Sequence, residues 1–265
     1  MGLRTSLALF LFLVVLATPA RPQAVSEARV RDAIDDAVDG LGQALGGGSA
    51  LTGPATPTGG LGAFRLNAAL GLSDAEIEDP RRPAGRIDVA LPVGTVNGAV
   101  GVTRTIDVLG KAGAVAAGDD YEAIALELGL GVRVGILPGG LTLPDVSASF
   151  WRTWVDGLEY GDPGGNEVGF DADITTWSAR VDAAKSFGVL TPFVGAGFDR
   201  TGVDARYRIP AGSSTGGEEI EGSIDSSGTQ AKAYTGLELN LLVLRAAVEV
   251  GRGSSGTFVG VALGF

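Results

Sequence analysis

The chain has 265 residues, 43 of them glycine, with a formal net charge of −11 and neither cysteine nor histidine. Those two absences exclude disulfide frameworks, thiol nucleophiles, imidazole bases and imidazole metal ligands together, and with them His-dependent hydrolase triads. The acidic balance argues against nucleic-acid partners.

Residues 1–24 carry Arg4, an apolar run from Leu7 to Leu16, and a small and Pro-containing stretch from Ala17 to Ala24. That layout is a secretory signal peptide, with cleavage expected near Ala24 or alternatively Ala20. The run is shorter than the roughly 20 residues a spanning helix needs. Cleavage would remove Arg4 and Arg21 and no acid, taking 20 basic residues to 18 against 31 acids, a charge of −13. Downstream, no uncharged apolar stretch reaches about 18 residues. An exported, apolar-leaning chain without helical spans must place its apolar surface in a large soluble core or on the outside of a barrel.

Residues 25–60 form a separate unit. Val30, Ile34, Val38, Leu41 and Leu45 recur at steps of four and three, predicting an amphipathic helix from about Ser26 to Leu45, closed by Gly46 to Gly48. A Gly/Thr/Pro tether follows to Gly60. Such a helix packs against the periplasmic rim of a barrel, the arrangement preferred here, or enters the barrel as a plug.

From 61 to 265 the period changes to two. Ten strands are predicted, at 61–72, 86–93, 96–109, 121–134, 142–158, 168–186, 191–208, 228–240, 241–252 and 256–265. The fourth sets Ile124, Leu126, Leu128, Leu130, Val132 and Val134 on one face against Ala125, Glu127, Gly129, Gly131 and Arg133 on the other. Apolar-out, polar-in alternation over about ten residues marks a transmembrane strand, and soluble strands average only about five to six residues. With the carboxyl terminus on the periplasmic side, the joints near Pro92 to Thr95, Leu137 to Leu141, Phe187 to Leu190 and Asn240 to Leu241 become short periplasmic turns. The intervals Ser73 to Gly85, Gly110 to Asp120, Glu159 to Glu167 and Ile209 to Ser227 become long outer loops, with Gly253 to Ser255 a shorter one. The expected fold is therefore all-β: a transmembrane antiparallel up-and-down barrel of about ten strands, behind a short amphipathic helix.

Some positions strain this pattern. Arg104 in the third strand and Arg152 in the fifth fall on the outward parity, which places both near a membrane rim. Parity switches between Ile174 and Trp177, and again between Phe198 and Val203, implying bulges or strand portions standing above the membrane.

The chain ends Thr257-Phe258-Val259-Gly260-Val261-Ala262-Leu263-Gly264-Phe265. It resembles the carboxyl-terminal recognition strand of bacterial outer-membrane barrels, departing from it at Val259, where a polar residue is usual. The stretch from Trp177 to Phe198, with Ala184-Lys185-Ser186-Phe187-Gly188-Val189-Leu190-Thr191-Pro192-Phe193-Val194-Gly195, resembles a strand-turn-strand of a family of uncharacterised outer-membrane barrels, and the resemblance to that family extends over roughly residues 30 to 265. The resemblance implies outer-membrane localisation, lipid contact and insertion by a barrel assembly machinery that reads Gly260, Leu263 and Phe265. It implies no activity.

Candidate chemistry is sparse. Arg65, Glu127, Arg133, Lys232, Glu238, Arg245 and Glu249 share the inward parity. Their mixed signs fit a lumen held together by ion pairs, or an ion- or solute-selecting constriction. Ten strands enclose a narrow interior that side chains can largely fill; inward glycines and alanines would thin that lining and leave room for a small channel. The acidic stretch Gly216 to Asp225 and the pair Asp119 and Asp120 match no calcium-loop spacing. The glycine clusters form no phosphate loop. Trp151, Trp154, Trp177 and Tyr160 are expected in interfacial girdles. No catalytic residue, cofactor or metal site emerges, and an enzyme is not expected. Two functions remain: a passive channel or transporter for small solutes, or a sealed structural or surface-interaction barrel.

Overall fold

A computed structural model describes residues 55–78, 86–117, 123–160, 169–209, 220–254 and 256–265. The predicted signal peptide and the 26–45 helix lie outside the described residues. Ten strands follow in chain order: β1 (Phe64–Glu78), β2 (Arg86–Gly101), β3 (Ile106–Ala117), β4 (Ala123–Leu137), β5 (Asp145–Tyr160), β6 (Gly169–Ala184), β7 (Leu190–Ile209), β8 (Ile220–Leu241), β9 (Leu244–Gly253) and β10 (Thr257–Gly264). Each pairs antiparallel with its sequence neighbours, and β1 pairs with β10, so the sheet closes into a barrel without free edges. At the seam, Leu66 and Phe265 exchange both backbone hydrogen bonds, at 3.1 and 3.0 Å.

The strand count matches the alternation, but several boundaries do not: β1 runs on to Glu78 and β8 begins at Ile220, both inside stretches expected as outer loops, because strands can continue beyond the apolar belt. The expected turn at Pro92 to Thr95 lies inside β2, which runs on to Gly101, and the chain reverses at 102–105. Pro92 misleads here because an outward-facing residue in one β-ladder can lack an amide donor at small cost. The displaced turn also removes the difficulty over Arg104, which is exposed in the 102–105 turn and not on the barrel wall. Residues 110–117, expected in a loop, are the outer part of β3.

The connections at 102–105, 138–144, 185–189 and 242–243 share one end of the barrel with Phe64 and Phe265. Gly188 takes φ +64° in the third of these, a left-handed geometry that glycine adopts without penalty. At the opposite end β7 and β8 are the longest strands, 20 and 22 residues, paired from Ile209↔Ile220 to Leu190↔Leu239.

The outer wall is an apolar belt. Leu66, Leu70 and Leu72 on β1, Leu126 to Ile136 in steps of two on β4, Val194 and Phe198 on β7, and Val259, Val261 and Leu263 on β10 all point outward and are exposed. An uninterrupted exposed surface of this kind is unfavourable in water and suits a hydrocarbon layer. On β4 it covers eleven residues, within the nine to eleven or so that a tilted strand needs to cross a bilayer. Among the described residues no helix is long and apolar enough to cross one.

Neither expected parity switch occurs. β6, β7 and β8 keep continuous register through Ile174 to Trp177 and Phe198 to Val203. What changes is the polarity of each face. Above Trp177 and Phe198 the outward positions become Thr175, Asp173, Arg200, Asp204 and Arg206, while the inward ones become Ile174, Ala172, Val203 and Ala205, all buried. These strand portions leave the belt: their outer face meets water and their inner face forms a small dry core. Register shifts do occur elsewhere, at Gly135/Leu137 and Val155/Leu158.

Candidate functional site: a filled lumen

The inward side chains fill the barrel in layers. At the end that holds Phe64 and Phe265, the residues before β1 enter the mouth. Ala55 is buried with Ala184, Phe193, Tyr234 and Phe258, and its carbonyl accepts a 2.5 Å bond from Ser147 Oγ. Thr58 donates to Asp107 from its amide, at 3.0 Å, and from its hydroxyl, at 2.6 Å. Arg65 donates to the carbonyl of Thr56 at 2.8 Å. The segment passes over Gly101, where a Cβ would come within 2.0 Å of the Gly60 carbonyl oxygen. The rim-docking or plug expectation concerns the 26–45 helix, which lies outside the described residues; of the tether that follows it, residues 55–58 occupy the lumen mouth.

Asp107 is the hub of this layer. Besides Thr58, it accepts bonds from Arg133 Nε and Nη2 at 3.1 and 2.7 Å, with no exposed surface of its own. Both donors converge on Oδ2, and charge-assisted bonds of this kind, together with those from Thr58, offset the desolvation of the two charges. Glu238 and Arg245 face each other more loosely nearby, at 4.0 Å.

The middle layer holds two more lysine pairs. Lys111 meets Glu127 at 2.5 Å, and Lys232 meets Asp199 at 2.7 Å. Tyr234 donates to Asp182 at 2.5 Å, and the Arg180 guanidinium lies 5.9 Å from the Trp151 ring. Higher still, Thr176 and Thr201 share a buried 3.0 Å bond beneath the dry core.

Glycine explains how so many large side chains fit. Trp151 lies directly across from Gly131, Tyr234 from Gly195, Phe193 from Gly236 and Phe258 from Gly251. At each glycine an added Cβ would come within 2.7 Å or less of the opposing ring. Gly129 likewise makes room for the stem of Lys111, at 2.7 Å. At these five positions the space left by glycine is taken up by a neighbouring side chain. They are the floor on which rings and lysine stems lie, an arrangement known to pin register in sheets.

All seven charged residues expected on the inner face are on it, but the pairing differs from a network among themselves. Glu238 and Arg245 do face each other. Glu127, Arg133 and Lys232 take as partners Lys111, Asp107 and Asp199, which the sequence reading did not name; Arg65 holds the N-terminal segment, and Glu249 is buried at 1% exposure. Trp151, expected in a girdle, is a lumen residue at 1% exposure; Trp154 and Trp177 do stand on the outer wall. The side chain of Tyr160 lies outside the described residues. Among the described residues no group of three or more acids has the arrangement of a metal site.

No protein-family model matches the sequence, and no curated protein matches it. The barrel is similar in fold to the translocator domain of autotransporter NalP from Neisseria meningitidis, at 10% identity over 89% of this chain and 95% of that one, with a TM-score of 0.41. It is similar also to Ail, the attachment invasion locus protein of Yersinia pestis, at 12% identity over 77% and 96%, TM-score 0.33. The match to the copper transporter OprC, at 15% identity, covers 73% of this chain and 37% of that one, TM-score 0.34, so the chain spans little more than a third of that protein. These are similarities of fold.

Proposed function

We propose that this chain is an outer-membrane barrel with a sealed lumen, acting as a structural or surface-interaction protein and not as a passive channel for small solutes. The exposed apolar belt and the closed strand ladder support the membrane placement, since lipid offers backbone groups no partner and only helices and closed barrels satisfy them internally. The observation that carries the sealed reading is the burial of the lumen charges. Asp107 and Asp199 are 0% exposed, Glu127 1% and Lys232 4%. A water-filled pore would wet its lining from end to end; here water-sized space is missing beside the charges themselves. Those charges are engaged in ion pairs, which supports a non-enzymatic role.

The test is conductance of the purified protein in planar bilayers, with the mature chain and with a variant lacking residues 25–60. Neither is expected to give reproducible openings, because side chains of the wall close the lumen above the N-terminal segment. Stepwise openings in either would overturn the sealed reading in favour of transport.

We also propose that Gly260, Leu263 and Phe265 serve the assembly machinery. Leu263 and Phe265 are exposed at the terminal end of the seam, and Phe265 packs edge-on against Phe64 with ring centroids 6.3 Å apart. Phe265→Asp should lower the amount of protein reaching the outer membrane; unchanged levels would remove this role.

A further inference from the structure

Two arginines on the outer wall are treated unlike those inside. Arg152 stands directly opposite Trp177, and Trp177 directly opposite Arg200, forming one cross-strand row over β5, β6 and β7. Adjacent strands lie about 4.8 Å apart, so the two arginine backbones are about 10 Å apart with the indole between them. The Arg152 guanidinium lies over the rings of Trp177 and Trp154, at 4.6 and 4.9 Å. Among the described residues neither Arg152 nor Arg200 has a carboxylate partner, whereas Arg133, Lys111 and Lys232 in the lumen each have one.

On β6 and β7 the row marks the change from an apolar to a polar outer face, while on β4, where Arg152 faces Leu130, the apolar wall continues past it to Leu128 and Leu126. Phe150 and Phe198 lie two residues below it, on the lipid side. Four residues above it, about 13 Å along the strands, Asp173, Asp204 and Asp225 stand in direct register, and the β5 irregularity brings Asp156 beside Asp173. Uncompensated arginine is costly at mid-bilayer and cheap at the interface. Interfacial guanidiniums without protein counter-ions, in a chain of net charge −11, call for an anion at the level of lipid headgroups.

We propose that the Arg152–Trp177–Arg200 row is a docking site for the phosphate of an anionic lipid, held between the two guanidiniums while its acyl chains lie along Phe150 and Phe198. Guanidinium suits the task because its fork of donors matches phosphate oxygens, and stacking on Trp154 and Trp177 fixes the Arg152 fork before the lipid arrives. The carboxylate row above repels the phosphate and confines it to the arginine level. This site rests on the membrane placement proposed above.

The experiment titrates the full mature chain, purified in a neutral detergent, with phosphatidylglycerol and separately with phosphatidylcholine of the same acyl chains. Retention is read by native mass spectrometry and tryptophan fluorescence. Phosphatidylglycerol should be retained at least tenfold more tightly. Near a membrane surface each basic residue contributes about a fivefold preference for anionic lipid. Arg200→Gln should therefore weaken phosphatidylglycerol about fivefold and the double variant with Arg152→Gln about 25-fold, leaving phosphatidylcholine unchanged. Among the described residues Arg200 makes no hydrogen bond, ion pair or ring contact, so Arg200→Gln decides the matter even if the loss of stacked Arg152 impairs folding. Equal retention of the two lipids, or undiminished phosphatidylglycerol binding in Arg200→Gln, overturns the site. Displacement of the lipid by inorganic phosphate at equal concentration would also overturn it, since the ligand would then be free phosphate. Wild-type protein that fails to float with phosphatidylcholine vesicles sinks the membrane placement; protein that floats but shows no lipid preference sinks this site alone.

Discussion

Below the row of Arg152, Trp177 and Arg200, strands β6 and β7 are apolar outside and carry Arg180, Asp182 and Asp199 inside; above it the same strands are polar outside and place Ile174, Ala172, Val203 and Ala205 inside. Backbone, register and alternation do not change at the crossing. What changes is the medium against the outer face, and the two halves solve opposite problems with one ladder. In the lower half the outer face is satisfied by hydrocarbon, so polar groups must turn inward and pair. In the upper half the outer face is wet, so the inner face can be an ordinary core of Ile174, Val155, Val203 and Ala205.

The largest expected effect comes from breaking a lower-half pair. Asp199→Ala leaves Lys232 buried among Asp182, Arg180 and Tyr234 without its 2.7 Å partner. Removing one member of a buried pair costs about 3 to 5 kcal/mol, whereas replacing both by apolar residues of similar volume is often neutral. Asp199→Ala should lower the temperature at which the compact form is lost in SDS, and Asp199→Leu combined with Lys232→Leu should restore most of it. If Asp199→Ala melts with the wild type, water reaches Lys232, and the sealed lumen is wrong.

Much of this was readable in the sequence because period two is strict wherever one medium faces one wall. β4 alternates apolar and polar or small residues from Leu126 to Gly135, and Glu127, Arg133, Lys232 and Glu249 could be placed on the inner face from parity alone. Their partners were harder to read. Lys111 sits in a Gly- and Ala-rich run that has the composition of a loop, and its strand identity comes from pairing with β4, a tertiary fact. Asp182 and Asp199 lie close to the apparent parity switches, where apolar residues turn inward because the strands have risen out of the belt. Asp107 was on the correct parity in the third predicted strand, and the need of an inward Arg133 on the next strand for a carboxylate was the signal that could have found it. Local pattern fixes which wall a residue faces, while register between strands decides whom it meets.

The smaller effect bears most directly on the boundary between the halves. Ala196 and Gly202 are both on β7 with the same outward parity, six residues or about 20 Å apart, one between Val194 and Phe198 in the belt and the other above Arg200. A Cβ at Gly202 meets nothing within 4 Å, so a side chain there creates no clash. Arginine on the lipid wall costs about 2 to 4 kcal/mol at the bilayer midplane and about 0 to 1 near an interface. Ala196→Arg should therefore destabilise the folded barrel by several kcal/mol in urea titrations in phosphatidylcholine vesicles, while Gly202→Arg should stay within about 1 kcal/mol of wild type. Moving both proteins into a detergent micelle, whose apolar layer is thinner and deformable, should shrink the penalty at 196 and leave 202 unchanged. Equal penalties at the two positions would mean that the belt extends past Arg200, and the inversion of β6 and β7 would then need a cause other than the edge of the membrane.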